Sequence, residues 1–373
     1  MKLTKLMLSA SVAALALVSC NKMDSTPEVA KRLKTVEVSI GNIALTKALA
    51  GDKIENGDAV LVKDFQIFLT DASGNSYEAK VADGSAAAQT YWSTVDLAAG
   101  AINAAFHYVD PNCTKVVAVA NLGKDITYAE YKALAPLQIA NQQDAKALVL
   151  YDEATLTSTS REHNDPNVDG TTYLAPVYEA ELTLTPRVSR FEVDGFSVKF
   201  SEEPLYNEIK ITQLAFMNYY DKTTVVEGTE SDLTAAPVDF LDQAAVYTWL
   251  DNGETAWYRD SFDITITPED NVKDTPEPLA YHMFSCAETP VMLIKLLADG
   301  QPAYLYTKGF YKTDGTEITE FEEGKIYRMS AKGETEDDGN IPFDDTDIDP
   351  MDRCLEITVE VVDWAVELVF PEF

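Results

Sequence analysis

The sequence predicts an all-β protein: two antiparallel β-sandwich domains in tandem, with a few short helices. Three observations lead there. Short apolar stretches that alternate with polar residues recur at intervals of roughly 8–20 residues, the spacing of sandwich strands. Gly, Asp and Pro punctuate the gaps between them. The 373 residues suffice for two cores, and a hydrophobic content of 46% excludes a disordered chain.

The formal net charge is −33. The first 47 residues carry seven Lys or Arg against three Asp or Glu, so residues 48–373 are more acidic still. Such a body repels phosphate backbones and anionic headgroups, which argues against nucleic acid as a partner. Residues 1–20 read as a lipoprotein signal peptide. Lys2 and Lys5 form a basic start, and Leu6–Val18 is an apolar run of 13 residues, too short to span a bilayer. Leu17-Val18-Ser19-Cys20 matches a lipobox, which makes Cys20 the expected lipidation site and the outer membrane the expected destination of the precursor.

Residues 21–34 are polar. Thr35–Leu45 reads as the first strand: Val36, Val38 and Ile40 share a face, Gly41-Asn42 shifts the phase, and Ile43 and Leu45 continue. "TKALAGDKIENGDA" (Thr46–Ala59) is a Gly-, Asp- and Lys-rich break containing Lys47. "VLVKDFQIFLTDASGNSYEAKV" predicts a strand, a turn at Asp71–Asn75 and a second strand; "KVVAVANL" (Lys115–Leu122) is a buried strand. Thr127-Tyr-Ala-Glu130 is a capping box opening a short helix that Pro136 limits. Ser158–Gly170 reads as a loop, and "VYEAELTLTPRVSRFEVDGFSVKF" as two strands interrupted at Pro186, where the boundary between residues 48–186 and residues 187–373 is placed. Further strands follow in "NEIKITQLAFMNYY", "FDITIT", "VMLIKLLADGQPAYLYTKGF" (a hairpin about Asp299-Gly300) and "GKIYRMSA". Ala331–Arg353 reads as an acidic loop.

No motif for a catalytic centre is present: no GxSxG, phosphate loop, GxGxxG or HExxH, and His107, His163 and His282 are scattered. No enzymatic activity, cofactor or metal is therefore expected. Asp165-Pro-Asn167-Val-Asp169-Gly170 opens like a calcium loop, yet its twelfth position is Pro176; Asp345-Thr-Asp347-Ile-Asp349 reaches Glu356 at twelve but has Pro350 for the turn glycine. Each is half a site and reads as a solvated acidic loop. Cys113, Cys286 and Cys354 lack metal spacing, leaving either one disulfide or three free thiols.

The chain closes on "CLEITVEVVDWAVELVFPEF". Leu355, Ile357, Val359 and Val361 share a face; the phase changes at Val362-Asp363, and Trp364, Val366, Leu368 and Phe370 continue, so its two halves can pair in different places. The first strand precedes an exposed basic loop of the kind proteases cut. A cut between Lys47 and Ala48 would free residues 21–47, and loss of Val36, Val38, Ile40, Ile43 and Leu45 would open an apolar groove between unpaired strand edges. A strand from another copy would fill it, with a gross burial term of about 6–15 kcal/mol.

Cys20, the spacer, the first strand and Lys47 come first. "ALAGDKIENGDAVLVKDFQIFLTDASGN", "KVVAVANL", "AELTLTPRVSRFEV", "FEEGKIYRMS" and "VEVVDWAVEL" then come in an order that resembles the FimA-type fimbrillins, subunits of type V pili of anaerobic Gram-negative bacteria. The resemblance spans nearly the whole chain and rests on arrangement rather than on one motif. It implies transthyretin-like sandwiches and a precursor held in the outer membrane by a lipid such as palmitate. It implies a trypsin-like processing protease, often arginine-specific, that removes the first strand. It also implies partners that are other copies or related pilins, with the C-terminal strand (355–370) as donor. A cell-surface fimbrium, adhesion and biofilm formation are implied as well, with stalk favoured over tip or anchor. Lys47 departs from the arginine expected at the cut; cleavage at Arg32 instead would leave the groove filled. The other reading is a lipid-anchored adhesin that does not polymerise and binds glycans through Trp249, Trp257 and Tyr258.

Overall fold

The computed structural model describes residues 33–41, 43–46, 60–77, 102–144, 147–166, 172–225, 230–233, 243–252, 259–285, 289–330, 339–348, 353–363 and 366–369. Strands dominate, as expected for an all-β chain. Most strand pairs are antiparallel; parallel pairs involve the strands nearest the two ends of the chain and Val188–Lys199.

Two sheets pack in the first half. One has four strands in the order Thr157–Pro166, Thr172–Thr183, Lys34–Gly41, Ile102–Val109. The other has five, in the order Thr185–Pro186, Leu150–Thr155, Lys115–Ala120, Phe65–Thr70, Ser76–Tyr77. Period-2 alternation aims Val36, Val38, Ile40, Ala104, Phe106, Ala180 and Leu182 of the first sheet at Phe65, Ile67, Leu69, Val116 and Ala118 of the second. The opposite face of the second sheet is also covered. Phe68, Val117 and Val119 pack on Tyr128 and Tyr131 of the helix Tyr128–Lys132, so "KVVAVA" is apolar at every position after Lys115 because both of its faces are buried. The helix starts at the expected capping box: Thr127 Oγ1 accepts from the Glu130 N–H at 3.2 Å, and Glu130 Oε2 accepts from the Thr127 N–H at 2.7 Å.

Residues 158–166 depart from the expected loop and form most of the edge strand Thr157–Pro166. The stretch carries no apolar alternation because neither face joins a core. Thr157, Ser158, Arg161 and Glu162 are exposed, and ladder hydrogen bonds to Thr172–Thr183 hold it.

At Arg187 the chain passes from Thr185–Pro186, paired with Leu150 and Tyr151, into Val188–Lys199 of a ten-stranded sheet. Its main order is Arg259–Ile266, Ile209–Met217, Val291–Ala298, Gln301–Lys312, Cys354–Asp363, Lys325–Ser330, Val188–Lys199, Val272–Phe284. The two edge strands are consecutive in the chain, joined through the Thr267–Asp270 bridge, so the sheet curls back on itself. Tyr281 donates to Asp260 at 2.7 Å across that closure, and Phe191 stands within 5.2 and 5.3 Å of Phe216 and Phe310 inside it. The hairpin forms at Asp299-Gly300, both with positive φ (45° and 79°), the geometry of a tight two-residue turn. Several elements escape sequence inspection, among them the strands Ile102–Val109, Leu150–Thr155 and Val272–Phe284. The helix Gln243–Asn252 lays Val246 and Leu250 on Ala215, Met217 and Leu293, and Asn340–Asp344 within the expected acidic loop pairs parallel to Val188–Lys199.

Buried polar groups join the halves. Arg187 donates to Glu323 at 2.9 Å and lies over Tyr151. His282, opposite Arg190 in the ladder, donates from Nδ1 to the Gln142 carbonyl at 2.8 Å, while Gln143 Nε2 donates to the His282 carbonyl at 3.3 Å. Burial, reinforced by the neighbouring Arg190 charge and opposed by the Gln142 bond, lowers the His282 pKa from 6.5 to about 4. The unfolded chain therefore takes up this proton first as pH falls. Stability from His282 is complete above pH 6.5 and is lost as pH drops towards 4, by about 3 kcal/mol in all. Thermal melts at pH 7 and pH 4.5 should show a smaller acid-induced drop for His282→Asn than for the parent protein.

Candidate assembly site

The strand Lys34–Gly41 is internal to its sheet. It runs parallel to Thr172–Thr183 and antiparallel to Ile102–Val109, and those two strands pair with it rather than with each other. Val36 stands opposite Phe106 and Tyr178, Val38 between Ala104 and Ala180, and Ile40 between Ile102 and Leu182. Val36, Val38 and Ile40 are at most 2% exposed. Their burial contributes about 5–9 kcal/mol gross, and removal of the strand would leave an apolar slot eight residues long.

Polar contacts fix the strand's position. Lys34 is buried: its ammonium donates to the Cys113 carbonyl and, at 3.5 Å, to that of Pro111, and lies 4.2 Å from the centre of the Tyr178 ring. Burial lowers its pKa, against the pull of Cys113 and Asp110. Burial likewise pushes the Cys113 thiol up to about 11. Thr35 Oγ1 lies 3.3 Å from His107 Nδ1, and the His107 ring packs on His163 at 4.7 Å. On the solvent face Arg161 reaches from the edge strand across Glu179 to Glu37 at 2.7 Å, spanning three strands. The alternation of the leader points to Val36, Val38 and Ile40, but Lys34, Thr35 and Arg161 carry no such signal; their partners lie 72 or more residues away for Lys34 and Thr35.

The two halves of the terminal segment lie in different sheets. Cys354–Asp363 sits inside the ten-stranded sheet, parallel to Gln301–Lys312 and antiparallel to Lys325–Ser330. There Leu355, Ile357 and Val359 are buried and Val361 is packed against the same core. Val366–Val369, which holds Val366 and Leu368, joins a separate three-stranded sheet between Ile43–Thr46 and Val60–Val62, parallel to both. Ile43 and Leu45 are thus placed against the terminal segment, outside the slot that Val36, Val38 and Ile40 fill. Cys20, Arg32, Lys47, Ala48, Cys286, Trp364 and Phe370 lie outside the described residues, as do Trp257 and Tyr258.

The acidic motifs have structural partners. Asp345 accepts from Ser201 Oγ at 2.7 Å and the Leu205 N–H at 3.0 Å, and Asp347 from the Asp344 N–H at 2.7 Å. Burial raises the Asp345 pKa, yet these bonds together outweigh it and hold the carboxylate below its ordinary range. Asp165 is a strand residue opposite Tyr173. Among the described residues no group of three or more His, Cys, Asp or Glu could hold a metal ion. Cys113 is a free thiol. No described helix is long and apolar enough to cross a membrane.

No family model and no curated protein matches the chain. Among solved structures it is similar to a Parabacteroides distasonis protein provisionally assigned to cell adhesion, at 16% identity and TM-score 0.49, covering 92% of this chain and all of that one. It is similar to a fimbrilin from Porphyromonas gingivalis at 12% identity and TM-score 0.45, with 92% and 100% covered. A C-terminally truncated tip fimbrial protein, Mfa3, of the same organism matches at 8% identity and TM-score 0.39, with 89% and 99% covered.

Two outcomes test this geometry. Val38→Asp places a charge between Ala104 and Ala180 and should lower the stability of the uncut protein by roughly 3–5 kcal/mol in urea unfolding. Asp345→Ala should cost about 1–3 kcal/mol through the orphaned Leu205 N–H and Ser201 hydroxyl. Added calcium should leave the melting temperature of the parent protein unchanged.

Proposed function

We propose that this protein is a structural subunit of a cell-surface pilus, made as a lipid-anchored precursor and assembled after a protease removes its first strand. One observation carries the reading. Lys34–Gly41 is the internal strand that joins two strands otherwise unpaired on those edges, and in the sequence it lies just ahead of Lys47, where this reading puts the cut. A strand held at such a place by burial and ladder bonds, and expendable in sequence, leaves a vacancy that only another strand satisfies. The occupant is the C-terminal segment of a second copy or of a related pilin, and repetition of that step builds the fibre. In this reading residues 1–20 deliver the precursor, residues 21–47 are discarded, and residues 48–186 and 187–373 form the two units of the mature subunit. Cys20 anchors the precursor in the outer membrane, and the protease accepts lysine. The apolar C-terminal donor favours a stalk over a tip position, and a role in adhesion follows from the resemblance to fimbrillins.

A second reading has its own support. Cys354–Asp363 is fully integrated in its sheet, which favours a surface adhesin that stays monomeric. Limited trypsin digestion of the precursor lacking Cys20 separates the two. The pilus reading expects a new N-terminus at Ala48 and a ladder on an unheated SDS gel, with neither seen for Lys47→Ala. A clean cut after Lys47 that leaves a stable monomer establishes the second reading instead.

A further inference from the structure

The leader touches the chain in two places, and the second has a different consequence from the first. Lys34–Gly41 fills the slot, whereas Ile43–Thr46, one residue further on, leaves that sheet and pairs with Val366–Val369. The register is Ile43 with Val366 and Leu45 with Leu368; on the other side Val366 meets Val60 and Leu368 meets Val62. Val366–Val369 is therefore the middle strand of three, and half of its support comes from the leader.

The part of the terminal segment able to leave is also defined. Withdrawing Cys354–Asp363 would split a ten-stranded sheet at an internal position and expose Leu355, Ile357 and Val359. Val366–Val369 has four residues and joins no other sheet among the described residues. Without Ile43–Thr46 it would keep one parallel partner of three residues, Val60–Val62. Val60–Val62 is itself fixed, with Val60 and Val62 buried in the core, but a single parallel ladder of three residues is a weak hold, parallel pairing being the weaker kind.

We propose that Ile43–Thr46 is a lock on the donor. One cut after Lys47 vacates the acceptor slot and, in the same step, releases Val366–Val369 to pair with a second copy. Neither half of the exchange is then available before processing, which keeps precursors apart. This inference rests on the pilus reading and adds its regulation. It also divides the expected donor: Leu355, Ile357, Val359 and Val361 stay home as the base from which the segment at Val366 and Leu368 extends.

The test removes the lock without opening the slot. Ile43→Gly, Ala44→Ser, Leu45→Gly and Thr46→Ser are combined in a precursor lacking Cys20 and carrying Lys47→Ala, so that it cannot be cut there. In hydrogen exchange, amides 366–369 should exchange at least about ten-fold faster than in the Lys47→Ala protein alone, while amides 102–109 stay unchanged. Mixed with cut parent subunits after the protease is inhibited, the unlocked protein should add to them as a donor, and the Lys47→Ala protein should not. Unchanged exchange at 366–369 overturns the lock, even where cut subunits form ladders and the pilus reading stands. Faster exchange without addition, while cut subunits still form ladders among themselves, overturns Val366–Val369 as donor. Faster exchange with no ladder from any mixture keeps the lock and removes the pilus reading.

Discussion

One constraint organises the first half of the molecule. Ile102–Val109 and Thr172–Thr183 both need a partner on the edge they present to Lys34–Gly41, and they have no register with each other. The strand between them runs antiparallel to one and parallel to the other, so a single segment satisfies two ladders of different geometry. It also carries Val36, Val38 and Ile40 into a core shared with Phe65, Ile67 and Leu69 of the facing sheet. The facing sheet, the buried Lys34 and the bridge from Arg161 to Glu37 all presuppose this strand. Were such a segment removed, the edges it holds would have to be re-paired.

The second half answers a different need. Its strand Cys354–Asp363 is also internal and also paired parallel on one side and antiparallel on the other, so late and early strands are used alike. The surroundings differ in kind. Phe191, Phe310 and Phe321 pack beside it, and the Arg190–Glu192–Arg328 network at 2.7 and 2.9 Å lies on adjacent strands of the same sheet. A buried charged network loses several kcal/mol when one partner is exposed or removed, which makes this part of the sheet a poor candidate for rearrangement. The small sheet around Val366–Val369 is held by two short parallel ladders, to Ile43–Thr46 and to Val60–Val62, of which Val60 and Val62 reach the core. In the proposed exchange, the boundary between the strand that stays and the strand that leaves falls inside the terminal segment, after Asp363.

How much of this was legible in the sequence depends on what periodicity reports. Alternation locates Val36, Val38 and Ile40, the phase shift at Gly41-Asn42 separates two strands, and the shift near Asp363 separates two more. Turn chemistry at Asp71–Asn75 and Asp299-Gly300, and the capping box at Thr127, are local and were readable for that reason. Thr157–Pro166 was not, because an edge strand with two polar faces has no apolar period. Asn340–Asp344 lay hidden in an acidic background, and the helix Gln243–Asn252 was passed over although Asp242, a capping residue type, stands directly before it in the sequence. Pairing was the larger blind spot. Nothing in "IALT" states that its partner is "VELV" at the far end of the chain, since any β-rich tetrapeptide offers the same ladder.

Burial also bears on where the proposed cut could fall. Residues 21–47 contain Lys22, Lys31, Lys34 and Lys47, and a lysine-accepting protease makes no chemical distinction among them; Lys22 and Lys31 precede the slot strand, so a cut there would leave it in place. Lys34 is 3% exposed, its ammonium is bonded to two carbonyls over the Tyr178 ring, and its backbone lies at the start of the strand that two ladders hold. Cleavage there would require the strand to be pulled out first, since a protease needs its substrate extended and unpaired. Lys47 comes directly after the last strand residue, Thr46, and lies beyond both ladders that hold the slot strand. The same burial that makes the strand worth removing shields its own lysine. A cut after Lys47 would then free the slot strand and the donor lock as one peptide, whereas a cut at Lys34 would leave most of both in place.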